Sequence, residues 1–220
     1  MSKIKVLIGI QMGEWSRTGQ CSDLDPLLDK MPPEVEINLL PVGEQLRDYL
    51  PGIEVLFGKI GEEDFNQADA LRWIQQPFAG AELHMFPALK TSEVVLTNSR
   101  GLYGTQISEH AFALLFALSR NIPTQLEFMR RKHWEVIPCV ELVGKTMGIL
   151  GLGGIGKALA IRAKAFDFNV IGLDSEPIEK PYGVDELGGL DWLPEFMSKS
   201  DVVVVCCPNT PETHKMLSYN

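Results

Sequence analysis

The chain has 220 residues, 45% of them hydrophobic, with a formal net charge of −9. That is enough apolar material for one large domain or two modest ones with real cores, and too much for a disordered chain. The acidic balance, with no basic run longer than Arg130-Arg131-Lys132, argues against nucleic acid as a partner.

The first part of the chain alternates strand and helix signals. Lys5–Ile10 reads as a strand. Ser22–Lys30 reads as a helix with Ser22 as N-cap, Pro26 inside its first turn, and an apolar face of Leu24, Leu27 and Leu28. Val35–Leu40 reads as a strand, Gly43–Leu50 as a short helix, and Ile53–Phe57, Leu71–Gln75 and Val94–Thr97 as further strands. Strands alternating with helices predict a parallel sheet with helices on its faces. A long helical pattern follows from about Gln106 to Trp134, which Pro123 should kink or break. Ala111, Leu114, Leu115 and Leu118 recur along it at helical spacing and are expected to pack in the core.

Thr146–Leu150 is a short apolar run expected to be a buried strand. It leads into Gly151-Leu152-Gly153-Gly154-Ile155-Gly156, a helical pattern to about Phe166, and a second apolar run, Val170–Leu173, that stops at Asp174. A lone G-x-G-x-x-G says little, but strand, glycine loop, helix, strand and terminal acid in one βαβ unit predict a dinucleotide site. Gly151 would allow the tight turn, Gly153 the approach of a pyrophosphate, and Gly156 close packing of helix on strand. The N–H groups at the start of that helix would face the phosphates. Asp174 would accept hydrogen bonds from the adenosine ribose and repel a 2′-phosphate. No arginine follows it, the first base being Lys180, so NAD is the expected cofactor. Trp192–Lys199 then reads as a helix and Asp201–Cys206 as a strand.

The cysteines, Cys21, Cys139, Cys206 and Cys207, form no C-x-x-C pair and no His/Cys cluster with zinc spacing, so no metal site is expected. Cys206 and Cys207, at the end of an apolar strand, read as small core residues in a reducing compartment. Met1–Ile10 lacks a signal-peptide pattern, and the most apolar stretch, Ala111–Leu118, is too short to span a membrane. A soluble, cytoplasmic protein is expected.

The stretch Glu141–Gly156 resembles the entry to the cofactor domain of the D-isomer-specific 2-hydroxyacid dehydrogenases. Thr97-Asn98-Ser99-Arg100-Gly101 followed by Ser108-Glu109-His110-Ala111 resembles the family's crossover into that domain. Phe78-Ala79-Gly80-Ala81-Glu82 resembles its substrate-side loop, and Asp201–Cys207 with Pro208–Thr213 the strand and loop beside the cofactor. The similarity covers most of the chain from about Leu71 onward. It implies an α/β fold with a flavodoxin-like substrate domain over residues 1–98 and the first half of a Rossmann NAD-binding domain over residues 99–220.

The resemblance further implies an oxidoreductase interconverting a 2-oxo acid and a D-2-hydroxy acid, working as a homodimer when complete. Backbone N–H groups near Ala79 and Gly80 would hold the substrate carboxylate. Gly154 and Ile155 would meet the pyrophosphate, Asp174 the ribose, and Cys207-Pro208 the cofactor's flank. Gly80-Ala81-Glu82 stands where the family commonly has Gly-Val-Asp, which leaves the substrate open. The family's catalytic arginine, and its histidine paired with a glutamate, lie downstream of the Pro-x-Thr-Pro-Glu-Thr stretch. None of His84, His110, His133 and His214 occupies the catalytic position, and Arg100 is not given the arginine's role, so no catalytic residue is assigned. The chain therefore reads as a C-terminally incomplete dehydrogenase, inactive by itself. Its Thr146–Leu150 strand is expected to present an open apolar edge where the missing half-sheet would pair. A non-catalytic, NAD-sensing regulatory protein on the same fold is the alternative.

Overall fold

The computed structural model describes residues 3–9, 28–81 and 84–218. The chain divides into two compact units, Met1–Arg100 and Gly101–Asn220. The helix expected over Ser22–Lys30 falls, except for its last three residues, outside the described residues, as do Cys21 and Glu82.

In the first unit five short strands form one parallel sheet: β1 (Ile4–Ile8), β2 (Val35–Leu39), β3 (Val55–Phe57), β4 (Trp73–Gln75) and β5 (Val95–Thr97), in the order β2-β1-β3-β4-β5. This is the flavodoxin-like order, in which ligands bind beyond the carboxyl ends of the strands. Leu7, Leu50, Leu56 and Ile74, all fully buried, form the centre of its core. The helix expected over Gly43–Leu50 is a single 3-10 turn, Leu46–Tyr49. Gly43 at φ +90° and an extended Gln45 leave the chain too few helical residues before Leu50 to propagate an α-helix. Two four-residue helices, α1 (Glu62–Phe65) and α2 (Pro87–Lys90), carry too little periodicity to be read from sequence.

The second unit opens with α3 (Gly104–Ser119) and α4 (Ile122–Arg130). The single long helix expected here breaks at Asn121, whose φ of +55° ends the first ladder. Pro123 then sits in the first turn of α4, where its missing N–H costs nothing. Trp134 lies beyond both helices and is 92% exposed. The Ala111–Leu118 stripe is only partly core. Ala111, Phe112, Leu115 and Phe116 pack inward, whereas Leu114 and Leu118 are 53% and 72% exposed.

Four parallel strands follow: β6 (Thr146–Leu150), β7 (Asn169–Leu173), β8 (Glu186–Gly188) and β9 (Val202–Val205), in the order β8-β7-β6-β9. Two helices connect them, α5 (Gly154–Ala165) and α6 (Leu193–Lys199), the latter entered through a 3-10 turn at Leu190–Trp192. The open edge expected at Thr146–Leu150 is absent, because β9 pairs with its far side in register from Met147↔Val202 to Leu150↔Val205. With β6 flanked on both sides, burial of Met147, Gly148, Ile149 and Leu150 follows. The three strands β8-β7-β6 make the first half of the doubly wound pattern, and β9 is one strand more, across the point where the order reverses. β8, with one half-buried apolar residue in Glu-Leu-Gly, gave no strand signal.

Candidate active site: a glycine turn and an anchored loop

At the carboxyl end of β6 the chain turns sharply. Gly151 has φ +92°, and a Cβ there would sit 2.7 Å from the backbone nitrogen of Cys207. Only glycine fits both the dihedral and the close approach of the chain leaving β9. In the first turn of α5, a Cβ on Gly156 would overlap the carbonyl oxygen of Gly151, so helix α5 lies directly on the strand it follows. Gly153 is different: a Cβ there meets nothing within 4 Å. Its exposed face is open space beside the start of α5. The first bond of that helix runs from Lys157 N–H to the Gly153 carbonyl at 3.0 Å, so the amides of Gly154, Ile155 and Gly156 precede the ladder. Unpaired amides and the positive end of the helix dipole suit a phosphate.

Asp174 closes this turn from the end of β7. Its Oδ2 accepts the Leu152 N–H at 2.7 Å and its Oδ1 accepts the Glu176 N–H at 3.1 Å. The Leu152 side chain, 2% exposed, fills the space over Gly172, where a Cβ would lie 2.6 Å from its Cδ1. Asp174 thus fixes the glycine loop, a role its sequence position did not disclose, and keeps further carboxylate lone pairs for hydroxyl donors. Beyond β9, Cys206 packs on the main core and Cys207 on the Leu150–Phe196 cluster, both half-buried. Burial, helped by the neighbouring Cys207, pushes the Cys206 thiol up to about 11, so it stays protonated and inert. The segment after Pro208 is tied to itself: Thr213 Oγ1 donates to the Pro208 carbonyl at 2.7 Å and accepts the Thr210 N–H at 2.8 Å.

In the first unit the loop after β4 is held by its carbonyls. Phe78 O accepts the Ser99 N–H at 3.0 Å and the Gln76 amide at 3.3 Å. Ala79 O accepts from Asn98 Nδ2 at 2.7 Å, and Gly80 O accepts from Gln76 Nε2. A planar trans peptide points its N–H opposite to its C=O. Anchoring three consecutive carbonyls therefore turns the amides of Ala79, Gly80 and Ala81 away from their anchors. None of the three has an acceptor among the described residues. Adjacent free amides suit an anion such as a carboxylate.

The two groups of residues singled out from sequence thus occupy two different frames. Gly151, Gly153, Gly154, Ile155, Gly156, Asp174, Cys207 and Pro208 stand at the carboxyl end of the second sheet, and Ala79 and Gly80 at that of the first. Sequence reasoning missed Gln76, and it named Asn98 and Ser99 only within the crossover stretch, not as anchors of this loop, because a side chain that hydrogen-bonds a neighbouring loop leaves no periodic or glycine-type signal.

The family model described as the NAD binding domain of D-isomer specific 2-hydroxyacid dehydrogenase matches residues 112–220. Over 204 residues the chain is 29% identical to the glyoxylate reductase of Korarchaeum cryptofilum, covering 89% of this chain and 59% of that protein. Over 193 residues it is 27% identical to the D-3-phosphoglycerate dehydrogenase of Methanocaldococcus jannaschii, covering 84% of this chain and 36% of that one. Among solved structures, a D-isomer specific 2-hydroxyacid dehydrogenase family protein from Aeromonas salmonicida aligns with a TM-score of 0.80 at 26% identity, over 97% of this chain and 66% of that one. The chain belongs to the D-isomer-specific 2-hydroxyacid dehydrogenase family.

It spans less than two thirds of the length of these curated relatives. Within the family frame the second unit carries the NAD-binding domain, and its glycine turn, free helix amides and Asp174 fit a dinucleotide. Among the described residues no helix is long and apolar enough to cross a membrane.

Proposed function

We propose that the protein carrying these residues is an NAD-dependent oxidoreductase that interconverts a small 2-oxo acid and a D-2-hydroxy acid. The observation that carries this reading is the pairing, in one chain, of a dinucleotide-type turn with a second loop whose amides are free for a carboxylate. The relatives named glyoxylate reductase and phosphoglycerate dehydrogenase act on the same class of compound by name, and support it. Bound NAD(H) supplies the hydride chemistry. The chain's own residues hold and orient: Gly153, Gly154 and Ile155 offer backbone to the pyrophosphate, Asp174 takes the ribose hydroxyls, and Cys207-Pro208 borders the cofactor. Ala79 and Gly80 hold the substrate carboxylate. Residues 1–98 form the substrate domain and residues 99–220 the cofactor domain.

None of His84, His110, His133 and His214 is assigned as proton donor. A positioned acid or base contributes about 10²–10⁴-fold. Binding of NADH is therefore the activity expected of the described residues. NADH absorbance with glyoxylate and with hydroxypyruvate, measured on the natural protein, tests the function. Failure of the full-length protein on every 2-oxo acid of this size would reject the function.

We place the enzyme in the cytoplasm as a homodimer. The second unit exposes the large apolar side chains of Leu118, Met129, Trp134 and Val136 at 72%, 71%, 92% and 83%, area that a second copy would cover. Sedimentation that returns only a monomer across a wide concentration range would reject the dimer.

A further inference from the structure

The fully buried His84 contributes nothing to the chemistry described so far, yet it stands at the head of a one-way chain of hydrogen bonds. The Ile60 backbone N–H donates to His84 Nε2 at 3.2 Å. A backbone N–H can only donate, so Nε2 carries the lone pair, and the neutral ring carries its proton on Nδ1. That proton faces Gln76 Oε1. The Gln76 side chain, itself 1% exposed, is thereby prevented from flipping, and its Nε2 is left facing the carbonyls of Phe78 and Gly80. Each bond fixes the direction of the next, from the end of β3 to the loop after β4. Burial, and after it the charge of Lys59, holds His84 below the ordinary histidine value, which keeps the ring in the neutral form the relay requires.

We propose that Gln76 and His84 are positioning residues for the substrate carboxylate: by anchoring the carbonyls of Phe78 and Gly80 they fix the Ala79–Gly80 segment between them and aim its amides at the carboxylate. This assignment rests on the proposed function, because it takes the loop's ligand to be a 2-oxo acid. Gln76→Glu keeps the size of the side chain and can still accept from His84. It replaces the two donated hydrogen bonds with a carboxylate oxygen facing two carbonyl oxygens, so the loop must turn. Misplacement of a binding group by about 1 Å can cost as much as 10²-fold.

The experiment is steady-state kinetics of the natural full-length protein with NADH and glyoxylate or hydroxypyruvate. Gln76→Glu is expected to raise the KM for the oxo acid by about tenfold or more, with kcat within about threefold and NADH affinity unchanged. Gln76→Met, which neither donates nor accepts strongly, should do the same and covers the case in which the glutamate variant fails to fold. His84→Asn can still donate from the Nδ1 position and should keep most of the wild-type KM, whereas His84→Phe should not. A merely structural role would move stability and protein yield without this split between KM and kcat. If the unmodified protein reduces no 2-oxo acid, the proposed function fails and this assignment with it. If it does, and both Gln76 variants hold KM within about twofold, only the assignment is overturned.

Discussion

Two anion sites are built in this chain from the same groups, backbone amides beyond the carboxyl ends of a parallel sheet, by opposite means. In the second unit the amides are freed by the main chain alone: a left-handed Gly151, a helix start without a capping side chain, and a helix lying directly on its strand. In the first unit the main chain is ordinary and side chains impose the geometry, through Gln76 on Phe78 and Gly80 and through Asn98 on Ala79. The first design fails when a methyl group is added. The second fails when a hydrogen bond is reversed.

The largest effects should therefore come from alanine at the glycines, and they should separate by position. Gly151→Ala meets both a positive φ and backbone atoms 2.7–3.0 Å away. Strain and overpacking together should cost about 3 kcal/mol, lowering the unfolding midpoint by about 10 °C and removing NADH binding. Gly156→Ala, overlapping the Gly151 carbonyl, should behave alike. Gly153→Ala enters open space, so stability should change by less than about 0.5 kcal/mol while NADH affinity drops at least tenfold. Calorimetry with and without NADH checks all three. Equal destabilisation at Gly153 and Gly151 would mean that the loop's open face is not where the cofactor lies.

This contrast also accounts for what the sequence disclosed. Gly151, Gly153 and Gly156 are legible because main-chain geometry dictates residue type at fixed spacing, and Asp174 because it ends an apolar run. The strands Val35–Leu39, Thr146–Leu150 and Asn169–Leu173 show as apolar or alternating runs with clear stops. Glu186–Gly188 does not, being a three-residue edge strand whose partners, not its composition, make it a strand. The pairing of β9 on β6 was missed because sheet order is long-range: nothing local in Val202–Val205 says which side of Thr146–Leu150 it takes. The anchoring roles of Gln76, Asn98 and Ser99 were invisible for a similar reason, since each is defined by the carbonyl or amide it reaches. Leu114 and Leu118 share helical spacing with Ala111 and Leu115, but the covered face is turned toward Phe112 and Phe116, and spacing alone does not say where that face is centred.

An intermediate effect is expected at Asp174, where the two designs meet: a side chain that grips the glycine turn and also faces the ribose. Asp174→Ala should narrow the preference for NAD over NADP, because the charge that repels a 2′-phosphate is gone. It should also weaken both cofactors, because the Leu152 N–H loses its 2.7 Å partner. A hydrogen bond to a charged group is worth about 1.5–3 kcal/mol, discounted here because Asp174 is only half-buried. Titration of the two cofactors against the variant separates the terms. Equal affinities of NAD and NADP for the unmodified protein would remove Asp174 as the selector.

The smallest expected effect distinguishes the two units by acid. His84 is neutral in the folded first unit and held below its ordinary value of 6.5 by burial and then by Lys59. Below pH 6.5 the unfolded chain takes up a proton there that the folded unit refuses, so the unfolded state binds more protons and stability falls as pH falls. The loss begins near pH 6.5 and ends once pH passes the lowered folded value. In the second unit the shifted acids run the other way in position. Asp185 is lowered chiefly by the Val170 N–H it accepts, and Asp201 chiefly by the Thr146 N–H, each from an ordinary 3.8. A lowered carboxylate contributes stability that is complete above its unfolded value and is lost as pH falls through the folded one. Those losses start only near pH 4. Between about pH 6.5 and 5 the first unit should thus weaken while the second holds, as hydrogen exchange of Leu7 and Ile74 against Ile149 and Leu173 would report. His84→Asn should flatten the first unit's slope. An unchanged slope in that variant would show that His84 is not the group that titrates, and that the relay to Gln76 is not what acid breaks.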